Sequence, residues 1–158
     1  TAYYYMAMMI ATLLFVIPQA TSQSLFAEGS YDEKDLGKQV RKAIKIISML
    51  LIPGIILIVL FGDLILGLFG AEYAVEGFRF LQLLAVSGVF VAGYRIFEGV
   101  LKVRKKIKIL IFIGIINAIL IIGLSSLLMS EGLMGVVSAW IGGYVVSLIV
   151  LLVVGLKK

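Results

Sequence analysis

The sequence contains no cysteine and no histidine among its 158 residues. Without cysteine it forms neither disulfides nor thiolate sites, and without histidine it lacks the usual general base and the commonest zinc ligand. The stretch "GLMGVVSAWIGG" (132–143) also lacks the spacing and the lysine of a nucleotide-binding loop. We therefore expect no catalytic residue, no metal and no cofactor, and a protein that is not an enzyme.

Charged residues are also scarce, at 15% of the chain, whereas 62% of the residues are hydrophobic and the mean hydropathy is +1.16. This leaves too little polar surface to cover a soluble globule of this size. Runs of about 20 apolar residues are long enough to cross about 30 Å of hydrocarbon. Such runs occur at about 2–26, 44–69, 78–101, 107–129 and 133–156.

The character of these runs predicts helices rather than membrane strands. Outer-membrane strands alternate apolar and polar residues, whereas "ILIFIGIINAILIIG" (109–123) is apolar all round. The predicted fold is all-α, a polytopic transmembrane helix bundle with about five membrane spans.

The basic residues are confined to particular segments. All but Arg79 and Arg95 of the 14 lie in residues 27–45, 102–108 and 157–158. The positive-inside rule places these segments in the cytoplasm. We therefore expect a multi-pass protein of the cell (cytoplasmic, inner) membrane with residue 1 outside and the C-terminus cytoplasmic. Because the lysines flank spans, anionic membrane lipids explain the net charge of +5, and no nucleic-acid partner is expected.

Both prolines of the sequence interrupt predicted spans. Pro18 removes a backbone donor and crowds the carbonyl of Leu14, which predicts a kink in the first span. The Pro53-Gly54 pair predicts a second kink in the second span.

Polar residues follow Pro18 in "FVIPQATSQSLFAEGS" (15–30). Thr12, Gln19 and Gln23 are separated by seven and four residues, so they share one face of the helix, with Ser22 close by. Two interpretations stay open. The face joins the helix to a neighbour by hydrogen bonds or marks its inner end, or it lines a water-filled cavity.

Two further segments carry structural predictions. Residues 31–45 have apolar side chains at helical spacing and predict a cytoplasmic amphipathic linker at the membrane surface, or else a solvated loop. The stretch "FGDLILGLFG" (61–70) predicts that one helix closes at Gly62 and that Asp63 caps a short next helix near the outer surface. An ion-coupling role for Asp63 is the alternative.

Arg95 is the most informative charge because it lies within the third span. It can pair with Glu98, three residues on, and extend towards the inner interface. Small residues share its helical face, which indicates that it faces the bundle. An inward-facing guanidinium is suited to an anionic ligand, because it can form several hydrogen bonds to phosphate oxygens.

The fourth span contains one polar candidate, Asn117, which lies beside Ala118. The small residues around it chiefly indicate a face that packs against another helix.

Three stretches carry a resemblance to a known family: "YYYMAMMIATLLFVIPQATSQSLFAEGS" (3–30), "LLIPGIILIVLFGDLILGLFGAEYA" (50–74) and "GVLKVRKKIKI" (99–109). The chain resembles the polysaccharide-biosynthesis membrane proteins, the O-antigen-type lipid-linked oligosaccharide flippases of the multidrug/oligosaccharidyl-lipid/polysaccharide exporter superfamily. Members have two lobes of helices around a central cavity. The resemblance implies that residues 1–158 are part of the C-terminal lobe, and that the N-terminal lobe of the same chain is missing.

The resemblance implies alternating access, in which the lobes rock and a lipid-linked glycan crosses with its polar head in water and its tail in lipid. Of the polar side chains, Gln19, Gln23, Arg95 and Asn117 are best suited to meet sugar hydroxyls or a diphosphate. The expected partners are this glycan, membrane lipids, the missing lobe and, in a scaffold role, glycan-assembly enzymes. Alternatives are a cation-coupled exporter of the multidrug and toxin extrusion branch and a non-transporting membrane scaffold.

Overall fold

The structure is a computed structural model that describes residues 2–156. The predicted tail lysines Lys157 and Lys158 lie outside the described residues, as does residue 1. The helices are α1 (Ala2–Tyr31), α2 (Leu36–Gly67), α3 (Ala71–Val103), α4 (Ile107–Leu127) and α5 (Leu133–Leu156). Short 3-10 turns, Glu33–Asp35 and Met129–Glu131, precede α2 and α5. All five helices are long and apolar enough to cross a membrane, which confirms the all-α fold.

Helix α3 is the centre of the bundle and contacts the other four helices. Helices α1 and α2 pack on one side of it and also against each other. Helix α5 packs on another side, and α4 joins the bundle mainly through α5. One buried cluster therefore lies among α1, α2 and α3, and a second joins α3 to α4 and α5.

The α1–α3 interface is built from a regular row of small and apolar side chains on α1. The buried residues of α1 recur every three or four positions, as one face of an α-helix requires: Ala7, Ala11, Leu14, Pro18, Ser22, Leu25 and Gly29. On α3, Gly77, Gly88 and Gly99 are buried, and each approaches a residue of α1. Small residues on both helices let the two backbones come close together.

The predicted cytoplasmic linker at 31–45 is largely the beginning of α2. Only the short turn Glu33–Asp35 separates the first two long helices, and α2 is helical from Leu36 onward. Within α2, Leu36, Ala43 and Ile47 are buried and the lysines between them are exposed, so the amphipathic pattern is that of a helix packed on the bundle.

The predicted break at Gly62 and Asp63 is wrong, because α2 continues through both residues to Gly67. Gly62 is buried against α3, where a Cβ would lie 3.0 Å from a ring carbon of Phe78, so the glycine serves close packing. The Asp63 carboxylate accepts a hydrogen bond from the adjacent Leu64 amide, 2.8 Å away, within the same helix. The chain turns instead at Gly70, whose φ of 138° favours glycine.

Both prolines lie inside continuous helices, Pro18 in α1 and Pro53 in α2. Pro18 is fully buried in the row that faces α3, whereas Pro53 is exposed on the outer surface of α2. The kinks predicted at these residues stay predictions.

Gly99 provides a test of the α1–α3 approach. A Cβ at this position would lie 3.0 Å from Ser22 Oγ and 3.3 Å from the Ser22 carbonyl oxygen. Because the carbonyl belongs to the α1 backbone, Gly99→Ala should push the helices apart and cost about 1–3 kcal/mol of stability. The measurement is the thermal unfolding midpoint of the full-length protein in detergent. Gly114→Ala is the control, since a Cβ there meets nothing within 4 Å; equal midpoints for the two variants would refute close packing at Gly99.

Candidate functional site

Three charged side chains of α3 form one ion-paired group, called here the charged cluster: Arg95, Glu98 and Lys102. A guanidinium nitrogen of Arg95 and the Nζ of Lys102 each lie 2.7 Å from a different oxygen of Glu98. Spacings of three and four residues place all three on one side of the helix. The Glu98 side chain is 14% exposed, against 32% for Arg95 and 37% for Lys102. The carboxylate is therefore enclosed by two cations, and the cluster keeps a formal net charge of +1.

Helix α1 is fixed to α3 beside this cluster. The buried Ser22 hydroxyl donates a hydrogen bond of 2.6 Å to the backbone carbonyl of Arg95. A helix carbonyl has a second lone pair available for such a donor. Gly99, one turn beyond Arg95, leaves the space that Ser22 occupies. The hydrogen bond and the glycine together set the position of the arginine relative to α1.

The predicted residues of α1, called here the polar flank, are Thr12, Gln19 and Gln23. All three are exposed on the surface of the bundle. The Thr12 hydroxyl donates to the carbonyl of Met8 in its own helix, at 2.7 Å. Within residues 2–156, neither glutamine amide makes a side-chain hydrogen bond to another residue. The described bundle therefore does not use the polar flank to join its own helices.

The polar flank lies on the α5 side of α1. Phe15, three residues after Thr12 and four before Gln19, packs edge-on against Trp140 of α5, with ring centroids 5.5 Å apart. Residues three or four apart on a helix are neighbours on its surface. The flank and the aromatic contact therefore share one side of α1.

The charged cluster lies between the α1 and α5 sides of α3. Gly99 contacts α1, whereas Tyr94 contacts Tyr144 of α5, with ring centroids 5.4 Å apart. Successive residues of an α-helix are about 100° apart, which places Arg95 and Glu98 between those two contact faces. From these helical positions we infer that the polar flank and the charged cluster both border the space between α1 and α5, called here the α1–α5 groove, although no described hydrogen bond joins them.

Asn117 is placed differently from the other predicted site residues. Its Oδ1 is buried without a described hydrogen-bond partner and lies 3.1 Å from where a Cβ on Gly143 would be. The residue therefore lies in the interface between α4 and α5, and the structure does not bring it into contact with the charged cluster.

The sequence pattern did not assign Lys102 to the site, and it did not predict the partner of Ser22. Lys102 pairs with Glu98 across four residues, a spacing that is visible in the sequence and typical of helical ion pairs. Ser22 contacts a backbone carbonyl 73 positions away in sequence. No local pattern indicates such a contact, because it depends on how α1 packs.

Comparison with known proteins identifies the family of the chain. A family model described as MatE matches residues 1–127, which contain α1 to α4 and the entire charged cluster. The chain belongs to the MatE family. It is therefore a membrane transporter of the multidrug/oligosaccharidyl-lipid/polysaccharide exporter superfamily, which confirms the resemblance at that level. Comparisons with curated proteins and with solved structures find no match.

Glu98→Gln tests whether the enclosed carboxylate holds the charged cluster together. The amide leaves Arg95 and Lys102 without a counter-charge, so we expect a loss of about 2–3 kcal/mol, seen as a lower thermal unfolding midpoint of the full-length protein. The control is Glu28→Gln, whose carboxylate is 46% exposed and lies 3.4 Å from Lys42; exposed pairs contribute at most about 1 kcal/mol. Equal losses in the two variants would show that the cluster is an ordinary surface ion pair.

Proposed function

We propose that the protein flips a lipid-linked oligosaccharide or polysaccharide precursor across the cytoplasmic membrane by alternating access. The chain forms part of the C-terminal lobe of a two-lobed exporter, and its α1–α5 groove is part of the cavity wall. The observation that carries the proposal is the charged cluster beside an uncovered polar flank, in a bundle otherwise dominated by apolar surface.

The exposure of the polar flank supports a cavity. Glutamine amides have no water to bond in hydrocarbon, and an unsatisfied polar group there costs several kcal/mol. Gln19 and Gln23 are exposed and have no partner in the described bundle. Hydrogen bonds to water or to the first lobe of the same chain would remove the cost of leaving these amides unsatisfied. A groove that the first lobe covers on one side, and that is open to water along the polar flank, provides both kinds of partner.

The charge of the cluster supports an anionic cargo. Glu98 is already neutralised by two cations, so the accessible charge is that of the outer faces of Arg95 and Lys102. A guanidinium offers several donors in a fixed plane, which suits the oxygens of a diphosphate. The sugar hydroxyls can then bond to the amides of the polar flank while the lipid tail stays in the bilayer.

The proposed orientation follows from the two ends of the bundle. Lys34 and Arg41 lie with Arg104 and Lys106 around one cleft, so the two main basic segments meet at one end, called here the basic end. At the other end the Tyr3 hydroxyl donates to the Glu72 carboxylate, at 2.8 Å. By the positive-inside rule the basic end faces the cytoplasm, with residue 1 outside and the C-terminus inside.

A cation-coupled drug exporter of the multidrug and toxin extrusion type is the second candidate, because the MatE family match is equally consistent with it. A cationic drug binds best to a free carboxylate or an aromatic surface. The aromatic contacts of Phe15, Trp140 and Tyr144 beside the groove favour this candidate. The enclosed Glu98, with a cation on each oxygen, favours the flippase.

Arg95→Gln in the full-length protein separates the two functions. In reconstituted vesicles that contain a fluorescent lipid-linked sugar, we expect the transbilayer rate to fall about tenfold or more, because one charge-assisted bond to the diphosphate is lost. Arg79→Gln is the matched control, since Arg79 is an exposed arginine near the start of the same helix. The transbilayer rate of the Arg79→Gln variant should stay within about twofold of the rate of the unchanged protein.

Two results would contradict the proposal. If the unchanged protein does not accelerate movement of the lipid-linked sugar, it is not a flippase for this cargo and the proposal is wrong. If Arg95→Gln lowers export of a cationic dye in the same vesicles but leaves sugar movement unchanged, the drug-exporter interpretation is favoured.

A further inference from the structure

A cleft of about 660 Å³ opens at the basic end of the bundle, outside the α1–α5 groove. Its walls come from the start of α2, the end of α3, the α3–α4 turn and the end of α5. The size falls in the range of ligand pockets, about 300–1,000 Å³. No step of the proposed transport mechanism uses this cleft.

The rim of the cleft is cationic. Four of its lining residues are basic, and none of the described lining residues is acidic: Lys34, Arg41, Arg104 and Lys106. All four are exposed, and among the described side chains none of them forms an ion pair. The neighbouring Lys38 and Lys42, by contrast, pair with Asp35 and Glu28. Among the described side chains, therefore, none neutralises the positive charge of the rim.

The interior of the cleft is apolar. Below the cations, the walls are formed by aliphatic and aromatic side chains of α2, α3, α4 and α5, including Val40, Phe97, Leu101, Ile109 and Leu151. Such walls give no hydrogen bonds to a water-soluble anion. They are suited to a hydrocarbon chain.

The cleft and the charged cluster lie on opposite sides of α3. At about 100° per residue, Phe97 and Arg104 point roughly half a turn away from Arg95 and Lys102. Consistent with this, Leu101 belongs to the apolar cluster shared with α4 and α5, whereas Gly99 contacts α1. A molecule in the cleft therefore lies outside the groove proposed for cargo.

We propose that this cleft binds an anionic phospholipid of the surrounding leaflet. The headgroup phosphate lies among the four rim cations, where arginine can form two parallel hydrogen bonds to it. One acyl chain lies along the apolar walls. Charge complementarity at the rim and the apolar interior below it match one amphiphilic molecule, and basic clefts between membrane helices are suited to anionic headgroups.

A matched pair of double variants tests the site in the full-length protein. Lys34→Gln with Lys106→Gln removes two rim cations. The control, Lys38→Gln with Lys108→Gln, removes the same charge from the same two segments but from residues that do not line the cleft. Binding of phosphatidylglycerol is measured by native mass spectrometry of the detergent-solubilised protein. We expect the rim variant to lose about 30-fold in affinity, since each cation contributes about 1 kcal/mol, and the control to change less than about threefold.

A steric variant keeps the charge and fills the cleft. Gly37 lines the cleft, and a Cβ there meets nothing within 4 Å, so the first carbon of the side chain in Gly37→Leu fits without a clash and the rest adds bulk at the cleft. We expect it to lower phosphatidylglycerol binding about tenfold or more, while phosphatidylcholine binds weakly to every form. Inorganic phosphate at equal concentration should leave the lipid bound.

Three outcomes would overturn the proposal. Equal losses in the rim and control variants would mean that diffuse surface charge attracts the lipid. Equal binding of phosphatidylglycerol and phosphatidylcholine to the unchanged protein would mean that the cleft does not select anionic lipid. Displacement by inorganic phosphate would mean that the cleft holds a soluble anion.

Discussion

The close approach of α1 to α3 is the contact on which the rest of the site depends. It is formed by small residues on both helices and by one hydrogen bond from Ser22 to the carbonyl of Arg95. A larger residue at Gly99 would meet the α1 backbone, so the chain uses glycine where the two helices come close together. This contact places Arg95 at the edge of α1 and turns the polar flank of α1 towards α5. Without it the charged cluster and the polar flank would be unrelated features of two separate helices.

Helix α3 also separates two kinds of polar chemistry in an apolar molecule. On one side it carries a cluster in which a carboxylate is enclosed by two cations. On the opposite side it helps to line a cleft whose rim cations are unpaired among the described side chains. Ion pairing lowers the cost of placing charge within a membrane span, whereas unpaired cations at the end of the bundle stay near water and headgroups. The two sides therefore differ in the way that the two proposed ligands require, a transported head group on one side and a resident lipid on the other.

The fold was largely predictable from sequence because the bilayer constrains it so strongly. Long apolar runs predict helices, and their number gives the spans without any knowledge of packing. The residues at which the helices begin and end were less predictable. Gly62 and Asp63 form a typical helix-ending pair. Whether α2 ends there depends on its packing against α3, where Phe78 lies against Gly62. Similarly, the charge pattern of 31–45 does not show that most of this segment continues directly into a long helix.

The site was predictable only where its contacts are local. The pairing of Arg95 with Glu98 follows from their spacing, and that of Glu98 with Lys102 could have been read in the same way. The side of α1 that carries Thr12, Gln19 and Gln23 also follows from spacing. Which helix that side adjoins does not, because it depends on Phe15 meeting Trp140, 125 positions apart in the printed sequence. The placement of Asn117 between α4 and α5 depends on packing for the same reason.

The central claim, that the polar flank lines a wet route through the membrane, is tested most directly by water accessibility along α1. Residues 1–158 contain no cysteine, so single cysteines at Thr12 and at the adjacent Leu13 can be compared in membranes, in a full-length protein whose cysteines outside this segment are replaced by serine. Both positions are exposed on the bundle and lie at the same depth, but they point about 100° apart. The account predicts that a membrane-impermeant thiol reagent labels Thr12→Cys at least about ten times faster than Leu13→Cys. Equal, negligible labelling of both, with cargo present and absent, would contradict it.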